Sequence, residues 1–170
     1  VRLEAAELFG AKPENVIFTN NCTHALNIAI KGLVKRGSEV VISNLEHNSV
    51  TRPLHKLTKL RGIRLRQANV FEKTNRAIIE EYKKKISPRT SCVISTHASN
   101  VTGQILPIQD IYALCKRRNI PFVVDAAQTA GIIPIKVGID CDIICIAAHK
   151  GLYGPTSCGM MILGDKIRPA

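Results

Sequence analysis

The sequence predicts a single α/β domain, a mostly parallel β-sheet with helices on both faces. Short apolar runs alternate with amphipathic stretches along all 170 residues, which is the pattern of strands joined by helical crossovers. No repeat, low-complexity tract or internal linker divides the sequence. With 45% hydrophobic and 22% charged residues, the composition is that of an ordinary globular protein with a sizeable core.

The apolar runs give the predicted strands, and the amphipathic stretches give the predicted helices. The strands are expected at 16–18, 39–43, 62–66, 91–95, 121–125, 142–147 and 159–163. The helices are expected around the opening residues and at 25–33, 48–60, 75–85 and 108–118. Gly37 follows the second helix as a stop signal, and Pro88 ends the fourth helix. In the third helix, Pro53 is expected to lie near the first turn.

The composition and the ends of the chain limit the class of protein. No apolar run reaches the roughly 18 residues of a membrane span, and the opening residues do not form a signal peptide. The chain lacks an initiating methionine and stops just after a predicted strand, so we expect a domain truncated at both ends. Six cysteines without a CxxC pair or a zinc-like histidine spacing indicate no metal site and a reducing cytoplasm.

The net charge of +11 suggests nucleic acid as a partner to consider, because lysine and arginine neutralise phosphates. The 24 basic residues are spread over the predicted helix faces and ends, where solvated charge is ordinary. Only 4% of the residues are aromatic, which leaves little surface for base stacking. We therefore interpret the charge mainly as a solubility feature and expect neither a nucleic acid nor a membrane as partner.

Polar residues gather where the apolar runs end. In a parallel sheet, ligands bind beyond the carboxyl ends of the strands. Hydroxyls, amides, imidazoles, a carboxylate and an amine follow five of the predicted strands, in segments 19–24, 43–47, 95–100, 125–128 and 147–150. We expect these segments to meet at one rim of the sheet and to form the functional site.

Each segment alone also has an ordinary structural explanation. Thr23 or Asn21 could cap the helix that follows, instead of holding a phosphate at its N-terminus. His47 could be a surface histidine, Asp125 a helix cap, and Lys150 a solvated loop lysine. A carboxylate at the end of an apolar strand nevertheless needs a partner to remain charged when it is buried.

The order of these segments resembles the class V aminotransferase family, which includes the cysteine desulfurases and selenocysteine lyases on the fold-type I pyridoxal-phosphate scaffold. The matching positions are Thr23 opening a helix, His47 after Glu46, Asn100, the segment Asp125-Ala-Ala-Gln128 and the segment His149-Lys-Gly-Leu-Tyr-Gly-Pro155. The last two segments, about 20 residues apart, are jointly specific. The resemblance covers essentially the whole chain.

The resemblance implies pyridoxal 5'-phosphate as the cofactor, held by Lys150 as a Schiff base. Once substrate has displaced it, Lys150 would move protons at the substrate and cofactor carbons. Asp125 would pair with the pyridine nitrogen, and Gln128 would hydrogen-bond the phenolic oxygen. His47 would stack on the ring and join in proton transfer, so Lys150 and His47 are the expected catalytic residues.

The same resemblance places the other cofactor contacts. Asn100 would lie near the phenolic oxygen and the substrate carboxylate, and Thr23 and His149 would hold the phosphate. Cys22 stands in the phosphate cup where relatives often have Thr or Ser, and Ala147 stands where many relatives have a serine. We therefore expect one phosphate contact to be missing.

The implied function is that of a cysteine desulfurase-like enzyme, which converts cysteine to alanine and a persulfide. A class V aminotransferase acting on small amino acids is the alternative on the same fold. A truncated, non-catalytic domain for cofactor binding or dimerisation is the alternative from another class. The full-length protein would be a homodimer, with a sulfur-acceptor protein as a possible further partner.

Residues 1–170 would form the large, cofactor-binding domain without the smaller C-terminal domain. In desulfurases, that later part supplies the cysteine that takes up substrate sulfur and an arginine that binds the substrate carboxylate. We assign no nucleophilic cysteine among the six of this chain. Cys158 follows the Lys150 loop but is better explained as a small residue in a tightly packed segment.

Overall fold

One seven-stranded sheet organises the computed structural model, which describes residues 1–167. The strands are β1 (Val16–Thr19), β2 (Glu39–Ser43), β3 (Arg64–Ala68), β4 (Thr90–Thr96), β5 (Phe122–Asp125), β6 (Ile143–Ala147) and β7 (Gly159–Leu163). The helices are α1 (Arg2–Phe9), α2 (Cys22–Leu33), α3 (Asn48–Arg61), α4 (Asn75–Lys85) and α5 (Ile108–Lys116). Among the described residues, no helix is long and apolar enough to cross a membrane.

The strand order is β1-β7-β6-β5-β4-β2-β3. The five strands from β6 to β3 are parallel to one another, whereas β7 runs antiparallel to both of its neighbours. β1 consequently runs in the same direction as β6. The carboxyl ends of six strands therefore share one rim, and the prediction of a mostly parallel sheet is confirmed.

Both faces of the sheet are covered by helices. One apolar cluster joins α1, α4 and α5 to the sheet through residues such as Phe9, Ile78 and Ile111. The other joins α2 and α3 to the opposite face through residues such as Leu26 and Leu54. All five of these side chains are at most 2% exposed, so the sheet lies in a double core as predicted.

Several elements differ from the prediction by a few residues, and in three of them the difference has a local cause. α2 starts at Cys22 because the Asn21 side chain caps it, so the polar residues after β1 form its first turn. α3 starts at Asn48, which places Pro53 inside the helix and corrects the predicted first turn. β3 starts two residues late because Gly62 ends α3 in a left-handed conformation, with φ 63°.

Candidate functional site

All eight residues predicted as site residues line a single pocket at the carboxyl rim. They are Cys22, Thr23, His47, Asn100, Asp125, Gln128, His149 and Lys150. The pocket has a volume of about 150 Å³, which is small for a site that encloses a whole ligand of drug size. The described residues therefore enclose only a small space around these side chains.

The first turn of α2 forms one end of the pocket. Asn21 Oδ1 accepts a hydrogen bond of 2.8 Å from the His24 N–H, so Asn21 is the helix cap. Within the described part of the chain, the Thr23 hydroxyl makes no hydrogen bond. Gly159 packs against this turn so closely that a Cβ there would lie 2.6 Å from the Asn21 Cα. Thr23 is thus left free to bind an anion at a helix N-terminus.

Asp125 is the buried carboxylate of the pocket, 5% exposed at the end of β5. Its Oδ1 accepts hydrogen bonds from the Ala127 N–H at 2.9 Å and from the Cys22 thiol at 3.3 Å. Its Oδ2 has no partner among residues 1–167. Burial raises the pKa of Asp125, and the hydrogen bonds from Ala127 and Cys22, together with the nearby Lys150, act in the opposite direction. The predicted helix-cap alternative is excluded, since no helix starts here.

His47 caps α3 and lies in the pocket wall. Its Nδ1 accepts a hydrogen bond of 3.2 Å from the Ser49 N–H and lies 2.8 Å from the Ser49 hydroxyl. An Nδ1 that accepts leaves the proton of the neutral ring on Nε2. His47 is therefore oriented and restricted in tautomer, unlike a free surface histidine.

Lys150 and His149 lie in the turn that follows β6. The turn is closed by hydrogen bonds from the Lys150 N–H to the Ala147 carbonyl at 3.1 Å and from the Gly154 N–H to the Ala148 carbonyl at 2.8 Å. Both side chains are exposed, and both line the pocket.

A neighbouring loop holds this turn in place. A Cβ on Gly131, whose φ is 83°, would lie 2.6 Å from the Gly151 carbonyl oxygen, so only glycine fits. The segment after β5 and the segment after β6 are thus packed backbone to backbone. This contact fixes the backbone next to Lys150 relative to the segment that follows Asp125.

A buried polar group behind the pocket was not predicted from the sequence. Glu46 Oε1 accepts hydrogen bonds from the Ser43 hydroxyl and from the Thr96 N–H, the latter at 2.8 Å. The other oxygen, Oε2, is buried without a hydrogen bond, and burial raises the pKa of Glu46 to about 8. Glu46 thereby joins the ends of β2 and β4 directly beside His47.

Sequence reasoning also missed Ser49 and Thr96, which line the pocket. Ser49 could have been found, since it stands two residues after His47 where a capping side chain is expected to bond. Thr96 gave no such signal, because its hydroxyl donates to the Ala98 carbonyl and only its backbone N–H meets Glu46. Among residues 1–167, no group of three or more His, Cys, Asp or Glu could hold a metal ion.

The fold and the pocket define a class of protein, an α/β domain that presents a lysine, a buried carboxylate and a helix N-terminus at one rim of a parallel sheet. The chain belongs to the aminotransferase class-V family, whose sequence profile matches residues 1–169. The family prediction is thereby confirmed.

Curated and solved relatives agree with this assignment. The chain is 35% identical over 175 aligned residues to the cysteine desulfurase IscS of Dictyoglomus turgidum, covering 99% of this chain and 44% of that protein. The apo structure of the cysteine desulfurase from Thermococcus onnurineus NA1 superimposes with a TM-score of 0.89 at 31% identity, over 97% of this chain and 42% of the other.

A C-DES variant with glycine covalently linked to its pyridoxal-phosphate cofactor superimposes with a TM-score of 0.88 at 25% identity, over 97% of this chain and 45% of the other. These similarities confirm the predicted fold class. The chain spans less than half the length of each of these relatives.

Proposed function

We propose that the pocket binds pyridoxal phosphate and that the eight predicted residues hold it. The observation that carries this proposal is their convergence on one pocket from five separate segments of the chain. The donor set fits the group. The amine of Lys150 matches the aldehyde of the cofactor, and the carboxylate oxygen of Asp125 that has no partner matches its protonated ring nitrogen. The hydroxyl of Thr23, at a helix N-terminus, matches its phosphate.

When bound, this cofactor supplies an aldehyde that joins amines and a ring that withdraws electrons from the substrate. Lys150 would hold it covalently, and His149 would add a contact to the phosphate. Asp125 would keep the ring nitrogen protonated, because its buried carboxylate lacks a cation on Oδ2. Gln128 and Asn100 are amides in the pocket wall, and they would orient the phenolic oxygen and the substrate carboxylate.

His47 would act on the ligand through Nε2. Because Nδ1 accepts from Ser49, the neutral imidazole presents a donor rather than a base. His47 would therefore donate a hydrogen bond from Nε2 to the ligand. In this arrangement the neutral ring orients the ligand, and the proton transfer predicted for His47 would require the imidazolium.

We further propose a cysteine desulfurase reaction, in which cysteine and an acceptor thiol give alanine and a persulfide. The relatives named cysteine desulfurase support this reaction over amino transfer. No thiol of this chain suits the acceptor, since five of the six cysteines are buried and the half-buried Cys158 does not line the pocket. Residues 1–170 would be the cofactor-binding domain, and the accepting cysteine and the carboxylate-binding arginine would come from elsewhere in the protein or from a partner.

Two exposed apolar side chains beside the pocket support a homodimer that completes the site. Tyr153 is 94% exposed three residues after Lys150, and Val101 is 84% exposed next to Asn100. A second subunit seated there would cover both side chains and enclose the small pocket further. The six free thiols support a reducing compartment such as the cytoplasm.

Covalent attachment to Lys150 is the direct test of cofactor binding. The full-length protein is incubated with pyridoxal phosphate, its visible absorbance is recorded, and the adduct is reduced with borohydride and located by peptide mass mapping. We expect absorbance and a label on Lys150, and neither in Lys150→Ala. Lys59→Ala, which removes an exposed lysine of α3, is the matched control and should behave as the wild type. A wild-type protein that stays colourless would refute the proposal.

The reaction is tested on the same loaded protein. With cysteine and a thiol reductant, a desulfurase forms alanine and sulfide in equal amounts. Amino transfer from a small amino acid to a keto acid, without sulfide release, would show the class V aminotransferase alternative instead. A loaded protein with neither activity would support a non-catalytic cofactor-binding domain.

A further inference from the structure

The Cys22 thiol contacts the carboxylate that faces the pocket. Cys22 is the first residue of α2 and Asp125 is the last residue of β5, so the contact joins two elements that are 103 residues apart. The donor is a thiol rather than a thiolate, because burial and the neighbouring Asp125 charge raise the pKa of Cys22 well above its usual value. The hydrogen therefore lies between sulfur and Oδ1.

Both donors to Asp125 converge on the same oxygen. The Ala127 N–H and the Cys22 thiol bond to Oδ1 from two sides, at 2.9 and 3.3 Å. Two fixed donors on one oxygen set the plane of the carboxylate, and with it the direction of Oδ2. Within residues 1–167, Oδ2 has no donor, and Asp125 lines the pocket.

We propose that Cys22 is a positioning residue for Asp125, which directs Oδ2 of that carboxylate at a cationic ring nitrogen in the pocket. This inference rests on the proposed cofactor. It replaces the expected phosphate contact of Cys22 with a contact at the opposite end of the cofactor. A cysteine in this position supplies a donor that is small enough to fit between α2 and the sheet.

A purely space-filling role for Cys22 is the competing explanation, since Cys22 is 6% exposed and belongs to the apolar cluster under α2. Cys145 provides a matched control. It is the cross-strand partner of Asp125 on β6 and is also buried, at 0% exposure, but its thiol makes no hydrogen bond to Asp125. Truncation of either thiol leaves a similar cavity, whereas only one truncation removes a donor.

The test compares Cys22→Ala, Cys22→Ser and Cys145→Ala in the full-length protein. The readouts are the dissociation constant for pyridoxal phosphate and the pH dependence of its visible absorption spectrum. Loss of a weak donor to a carboxylate should weaken cofactor binding about fivefold in Cys22→Ala and shift the spectral titration. Cys22→Ser keeps a donor and should restore both, and Cys145→Ala should leave both unchanged. Equal effects of Cys22→Ala and Cys145→Ala would overturn the proposal.

A second readout separates this proposal from that of cofactor binding. In the cofactor-free protein, the free energy of unfolding is measured for Cys22→Ala, Asp125→Ala and the double variant. A thiol–carboxylate contact makes the two substitutions non-additive, and additive effects would mean that no such contact exists. A wild type that binds no cofactor but shows this coupling contradicts the proposed function and the positioning role, while leaving the contact itself intact.

Discussion

Polar groups at the two rims of the sheet differ in how fully they are hydrogen-bonded. The amino rim is the edge at which the parallel strands begin, and the carboxyl rim is the edge at which they end. At the amino rim, Glu39 at the start of β2 accepts from the Ser87 hydroxyl at 2.8 Å and pairs with Arg64 and Arg66 at 3.7 and 3.6 Å. Asp142, just before β6, accepts from the Tyr112 hydroxyl and the Phe122 N–H, each at 2.9 Å. These carboxylates find their partners within the chain.

At the carboxyl rim, several buried polar atoms have no partner. Among the described residues, the buried side-chain polar atoms without a hydrogen bond are Glu46 Oε2, His97 Nδ1 and Thr129 Oγ1. They follow β2, β4 and β5, on the same rim as the open Oδ2 of Asp125. Buried polar atoms are almost always satisfied in folded proteins, so a cluster of exceptions at one rim marks the place where the fold is built for something other than stability.

Of the substitutions that test this difference between the rims, Asp125→Asn should have the largest effect, and the effect should be on turnover. The amide cannot hold a protonated ring nitrogen, so we expect turnover to fall about 100- to 1,000-fold, as for the loss of one preorganised electrostatic contact. The free energy of unfolding should be unchanged or higher, because burial raises the pKa of Asp125 and the amide removes a buried charge. Steady-state kinetics and urea unfolding check the two expectations, and a stable variant with full activity would contradict the role of Asp125.

The second prediction concerns the pH dependence of stability that the buried Glu46 carboxyl at the carboxyl rim should cause. Its pKa is raised by burial to about 8 from a usual value of 4.5, so the folded protein holds a proton that the unfolded chain releases. The stabilisation is complete below pH 4.5 and is lost as the pH rises toward 8. Relative to Glu46→Gln, the wild type should lose about 3 kcal/mol of unfolding free energy over this range, since each tenfold change in proton affinity is worth about 1.4 kcal/mol and relaxation reduces the total.

Urea unfolding at several pH values, for the wild type and Glu46→Gln, measures this difference. Glutamine keeps an acceptor for the Ser43 hydroxyl and the Thr96 N–H, so the variant should fold and have a flatter profile. Parallel profiles would mean that the Glu46 carboxyl titrates alike in the folded and unfolded chains. Such a result would mean that Glu46 is not one of the incompletely bonded buried groups that distinguish the carboxyl rim.

The sequence could predict which residues meet, but not how they touch. Asp125 and Lys150 follow different strands, and they converge because the carboxyl ends of parallel strands share a rim. The Cys22–Asp125 and Glu46–Thr96 contacts join residues 103 and 50 positions apart, and depend on how α2 and the β2–α3 connection pack. No periodicity or local motif encodes a distance of that kind.

Boundaries were also decided by local groups that compete with the hydrophobic pattern. The run after Gly62 predicted a strand from 62 to 66, but the left-handed turn at Gly62 delays pairing until Arg64. The hydrophobic pattern predicted the second helix from residue 25, yet the Asn21 cap starts α2 at Cys22. In each place, one capping side chain or one glycine set the boundary against the hydrophobic pattern of the segment.

Glu39→Gln is the amino-rim counterpart and should change stability alone. Removing the charge leaves Arg64 and Arg66 without a partner, but their side chains are 66% and 34% exposed and can be hydrated. We therefore expect a loss of about 1–2 kcal/mol of unfolding free energy, less than for a fully buried pair. Cofactor affinity and turnover should stay at wild-type values, and a change in either would connect the two rims.

Thr129→Val should have the smallest effect and the opposite sign. The Thr129 residue is 2% exposed and its hydroxyl has no hydrogen bond, so the fold carries the cost of burying this group. Valine has nearly the same shape and removes the hydroxyl, which should raise the free energy of unfolding by up to about 1 kcal/mol. Thr90→Val is the matched control, because the Thr90 hydroxyl accepts a hydrogen bond of 2.9 Å from the Ser87 N–H and its removal should destabilise. If Thr129→Val destabilises the protein as much as Thr90→Val does, the hydroxyl has a partner in solution, and the carboxyl rim is better satisfied than its geometry indicates.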